Sequence, residues 1–76
     1  MTEGEQRLEI GEELAARRLE EAMAEQARLL EASERAAGTR AEMASRMRVQ
    51  ASKLRVAVCD RTLNGIRRTR RSVVEE

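Results

Sequence analysis

The chain has 76 residues, with no aromatic side chain, no histidine, no proline and a single cysteine. These absences exclude aromatic platforms for stacked bases, imidazole chemistry near neutral pH, and an internal disulfide or zinc knuckle. Fifteen Lys and Arg against 14 Asp and Glu leave a net charge of +1, too little for a global field that would gather nucleic acid.

Hydrophobic residues make up 41% and charged residues 38% of the chain. Ala, Glu, Arg, Leu, Met and Gln dominate, and these lose little rotamer freedom in a helix. The composition predicts an all-α protein, a long amphipathic helix or coiled coil. Twelve of the apolar residues are alanine. Few side chains are therefore large enough to fill a core, and chains this short usually need a staple or a partner. Disorder of the isolated chain is the competing reading. Charge is unevenly spread. Residues 1–38 hold ten acids and five arginines, net −5, whereas residues 39–76 hold four acids and ten bases, net +6.

Thr2-Glu3-Gly4-Glu5 has the S/T-x-x-E spacing of a capping box. A first, acidic helix is predicted over 3–37, with Gly11 tolerated inside it. Glu3 with Arg7, Glu13 with Arg17 and Glu31 with Arg35 are spaced to pair along its exposed faces. Leu8, Ala15, Leu19, Ala22, Met23, Leu29, Leu30 and Ala37 form one stripe, interrupted by Gln26 and Ser33. Ile10, Leu14 and Ala24 lie on another face.

Gly38 suits the left-handed position that closes a helix, and Thr39 with Glu42 repeats the capping-box spacing. A stop followed at once by a start predicts a turn at 38–39 and a second, basic helix over 40–71. The expected fold is a single helical unit over 1–76: two long helices in a hairpin or coiled coil, part of a multi-helix bundle such as a four-helix bundle. The alternative is one continuous helix of about 110 Å.

The second helix carries two stripes. Met43, Met47, Ala51, Leu54, Ala57 and Val58 form one. Val49, Val56, Cys59, Leu63 and Ile66 form the other, on nearly the opposite side. A hairpin can cover only one, and an exposed apolar stripe marks an interface. Partner contacts are expected from Leu8, Leu19, Met23, Leu30, Met43, Met47, Val49, Leu54, Val56, Val58, Cys59, Leu63 and Ile66.

Arg61, Arg67, Arg68, Arg70 and Arg71 concentrate charge near the C-terminus of the second helix. They complement the helix dipole, and are the candidate anion-binding residues for an acidic protein surface or nucleic-acid phosphates. A membrane surface is disfavoured because the apolar faces lack Trp and Phe. Residues 72–76, ending in two acids, are expected to fray or to meet something outside the chain.

No catalytic site is expected. Cys59 has no histidine base, Glu-x-x-His di-iron motifs are missing, and Met43 and Met47 read as core filler rather than ligands for a soft metal. No cofactor or small-molecule substrate is expected. Cys59 is read as a small buried hydrophobe, and a lone cysteine without a secretion signal points to the cytoplasm. The expected function is non-enzymatic: an adaptor, oligomerisation module or complex subunit that binds itself or another helical protein. The alternative is a nucleic-acid-binding helical dimer.

Overall fold

The computed structural model describes residues 2–75, with side chains as far as Val73. It is an all-α helical hairpin in which α1 (Glu3–Ala36) packs against α2 (Glu42–Glu75). The envelope of 56 × 14 × 12 Å is the length of one 34-residue helix, which replaces the single long rod with a folded-back pair.

The Thr2 hydroxyl accepts from the Glu5 N–H at 3.2 Å and caps α1. Glu3 with Arg7 and Glu31 with Arg35 pair along α1, while Glu13 and Arg17, equally well spaced, do not come within pairing distance. Ala37 (φ −55, ψ 128) and Gly38 (φ 80) form a type II turn closed by Thr39 N–H donating to Ala36 O at 2.9 Å. The Thr39 hydroxyl then ties the helices together. It donates to Ala36 O at 2.6 Å and accepts from Ala41 N–H at 3.2 Å. This differs from the expected capping box, because the Glu42 carboxylate pairs instead with Arg46 at 2.9 Å. The turn chemistry occupies residues up to Ala41, so α2 starts at Glu42 rather than residue 40. It also continues past residue 71 to Glu75, in place of the expected frayed segment; Glu76 lies outside the described residues.

The contact between the helices follows a strict alternation of three- and four-residue steps. On α1 it runs through Leu8, Glu12, Ala15, Leu19, Ala22, Gln26, Leu29, Ser33 and Ala36. On α2 it runs through Glu42, Ser45, Val49, Ser52, Val56, Cys59, Leu63, Ile66 and Arg70. Every one of these positions is buried or half-buried, the pattern of a coiled-coil seam. Glu12 accepts from both Arg67 and Arg70 and ties the helices near the open end. Matched in order from the turn, the two sets of nine seam positions set Ala36 beside Glu42, Leu29 beside Val49, Ala22 beside Val56 and Ala15 beside Leu63. Small residues recur along both seams, so the axes can approach closely and the hairpin is narrow. The Ser52 hydroxyl, buried in the seam, donates to Val49 O at 2.7 Å and needs no partner from α1.

The core is correspondingly thin. Among the described residues, its buried apolar residues are Ala15, Ala22, Val49 and Leu63, and no large side chain is completely enclosed. Met23, Leu30 and Ala37, expected in the first-helix stripe, lie exposed. Their seam places are taken by Gln26, Ser33 and Ala36.

An added Cβ at Gly38 meets no atom, so only its left-handed backbone resists substitution. Gly38→Ala is expected to lower stability by about 1 kcal/mol in chemical denaturation.

Candidate functional site

The large apolar side chains that the seam leaves out form the most prominent surface. Met43, Met47, Leu54 and Val58 follow one another at steps of four, seven and four residues, which keeps them on the side of α2 turned away from α1. All four are 61–71% exposed. Ile10 and Leu14, one turn apart on α1, are also exposed. A cleft of about 370 Å³ lies between Leu14 and Val58, lined also by Gly11, Ala15 and Arg18 from α1 and Cys59, Thr62 and Ile66 from α2. It opens there because Gly11 has no side chain: an added Cβ would meet no atom within 4 Å. Met23 and Leu30 are exposed on the other flank of α1.

The sequence-derived contact residues thus divide in two. Leu8, Leu19, Val49, Val56, Cys59, Leu63 and Ile66 face the seam inside the hairpin. Met23, Leu30, Met43, Met47, Leu54 and Val58 face outward. Cys59 is a free, half-buried thiol on the floor of the cleft.

The arginine cluster divides as well. Arg67 donates to Glu12 at 3.2 Å, and Arg70 also donates to Glu12. Arg61, Arg68 and Arg71 stay exposed on the outer side of α2. Arg61 and Arg68 border a shallow cleft with Asp60, Asn64 and Gly65. A further cross-helix pair joins Arg55 to Glu25. Glu12, Glu25 and Arg55 were not singled out from the sequence. The usable signal was the three-four alternation, on which Glu12 occupies a seam position between Leu8 and Ala15. Among the described residues, no group of three or more His, Cys, Asp or Glu is placed to hold a metal ion. No described helix is long and apolar enough to cross a membrane.

The Arg70 hydrogen bond, aided by Arg67, holds the Glu12 carboxyl below its ordinary value of 4.5 against the opposing effect of burial. Glu12 in turn raises the Arg70 guanidinium. No family model matches the chain, and no curated protein or solved structure matches it either.

A carboxyl lowered in the folded state stabilises that state above its ordinary value, and the benefit fades as pH falls through the lowered folded value. Glu12→Gln is therefore expected to melt below the parent chain at pH 7. The two melting curves should converge in acid below 4.5, as followed by circular dichroism.

Proposed function

We propose that this protein is a non-enzymatic helical assembly module, whose work is to bury its outer apolar stripe against other helices, its own or those of a partner. The observation that carries this reading is the inverted distribution of large apolar side chains. Among the described residues, Val49 and Leu63 are buried, whereas nine large hydrophobic residues are exposed. Apolar burial is the main favourable contribution to folding. A two-helix unit with so thin a core gains most of its available burial only on docking. The outer stripe of α2 supplies contiguous Met, Leu and Val at helical spacing, the form in which one helix presents itself to another. Methionines suit such a surface because their unbranched side chains adapt to the shape they meet. The lone thiol of Cys59, half-buried beside the stripe, fits the reducing cytoplasm as the setting.

A second reading, nucleic-acid binding, is supported by the exposed Arg61, Arg68 and Arg71. It is weakened by the commitment of Arg67 and Arg70 to Glu12. Binding of that kind would fall steeply as salt rises.

Sedimentation and circular dichroism over a range of protein concentrations test the assembly reading. Mass and helical signal should rise together with concentration, or stay low until a partner is supplied. Leu54→Glu should weaken association, because it leaves the seam intact and places a charge in the docking face. A rigidly helical monomer, unchanged on dilution, would refute the reading.

A further inference from the structure

Resting on the assembly reading, we propose that one broad face of the hairpin is a groove for a single helix of an acidic partner protein. Two clefts mark that face. The first lies between Leu14 and Val58, with Gly11, Arg18 and Thr62 also lining it. The second, of about 240 Å³, is lined by Glu25 and Leu29 from α1 and by Arg48, Ala51, Ser52 and Arg55 from α2. The linings repeat at seven-residue steps: Ala51 with Val58, Ser52 with Cys59, Arg55 with Thr62, and Arg18 with Glu25. Seven residues make about two turns, so both clefts open on the same side of the helix pair.

With the seam matched in order from the turn, the first cleft lies about three turns nearer the open end than the second. A helix laid along this line would reach both clefts with apolar side chains about eleven residues apart, which fall on one side of it. Gly11, Ala51, Val58 and Thr62 are small, and helices approach more closely where the side chains between them are small.

Charge decides between occupants. The rows that border the groove are the seven-residue series through Leu14 and Arg18 on α1 and through Val58 and Thr62 on α2. Between residues 4 and 72 they hold six arginines, Arg7, Arg18, Arg28, Arg35, Arg48 and Arg55, against Glu21 and Glu25. The rows on the opposite side, through Glu13 and Met23 on α1 and through Lys53 and Ala57 on α2, hold five acids and four bases. Positive charge is thus concentrated beside the clefts. A two-fold contact sets a patch against itself, so two copies meeting here would press a basic face on a basic face. An acidic helix meets the opposite condition.

Some of these arginines already have partners. Arg7 pairs with Glu3, Arg35 with Glu31 and Arg55 with Glu25. Among the described residues, no carboxylate lies within pairing distance of Arg18, Arg28 or Arg48. Arg18 lines the first cleft and Arg48 the second, and the seam matching puts Arg28 nearly level with Arg48. Carboxylates flanking the apolar side of a partner helix are what these guanidinium groups recognise. Nucleic acid fits the face less well, because Ala15, Cys59, Ile66 and Leu29 line the clefts and two glutamates stand among the arginines.

The test uses the whole chain and two synthetic helical peptides of about 18 residues, long enough to span both clefts. Both carry leucines at the spacing of the clefts, flanked by Glu in one and by Lys in the other. Fluorescence anisotropy measures binding, and amide shifts in NMR spectra locate it. The Glu peptide should bind and the Lys peptide should not. Arg28→Glu combined with Arg48→Glu should weaken binding at least about tenfold, while Lys53→Glu, on the opposite side, should leave it unchanged. Ala51→Arg adds positive charge yet fills the second cleft. It should weaken binding, whereas it would strengthen a merely diffuse attraction. All four positions are exposed, so these variants leave the seam intact.

Failure of the Glu peptide to bind, equal binding of both peptides, or tighter binding by Ala51→Arg would overturn the groove. Amide shifts centred on Met23 and Leu30, or preference for a single-stranded oligonucleotide over the Glu peptide, would do the same. So would self-association that shifts Ala51 and Thr62. In each of these cases, association that grows with concentration and is weakened by Leu54→Glu would leave the assembly reading standing. A fully helical monomer that binds neither peptide would overturn both.

Discussion

A helix packed against a single neighbour can bury one side, and α2 carries apolar side chains on two. This constraint governs the rest of the molecule. The side bearing Val49, Val56, Cys59, Leu63 and Ile66 closes on α1, and the side bearing Met43, Met47, Leu54 and Val58 is left facing water. The stripe turned inward is not the one with the larger and more flexible residues. It is the one that alternates with small residues, Ser45, Ser52 and Cys59, and so meets the alanines of α1 at short range. Shape, more than total hydrophobicity, decides which side is covered.

Electrostatics work in the same direction without dominating. An acidic α1 and a basic α2 attract when laid antiparallel, and among the described residues three cross-helix pairs form: Glu25 with Arg55, and Glu12 with both Arg67 and Arg70. Such partly exposed pairs are individually weak and are screened by salt. Their larger contribution is to register. Glu12 and Arg70 occupy seam positions, and sliding one helix by a turn along the other would leave both without their partner.

Much of the fold was legible in the residues. Gly38 between two helix-forming stretches announced the reversal, and its left-handed backbone is what the type II turn demands. The two stripes of α2 were visible from spacing alone. The α1 seam was harder to read, because hydrophobicity pointed to Met23, Leu30 and Ala37, whereas the structure seats Glu12, Gln26, Ser33 and Ala36. Polar residues can occupy a seam when the facing side chain is short or when a specific partner such as Arg70 meets them, and a scale that ranks residues one at a time does not register that. The junction was also misjudged locally. Thr39 offered two uses for one hydroxyl, and it bridges Ala36 and Ala41 instead of capping with Glu42. The mixed character of the arginine cluster emerged only in three dimensions, where Arg67 and Arg70 turn toward α1 and Arg61 and Arg68 turn away.

The hairpin also has a polarity. Its tight turn closes one pole, and Thr2 and Glu75 both lie at the other. Anything tethered to either extremity would emerge from that same pole, side by side.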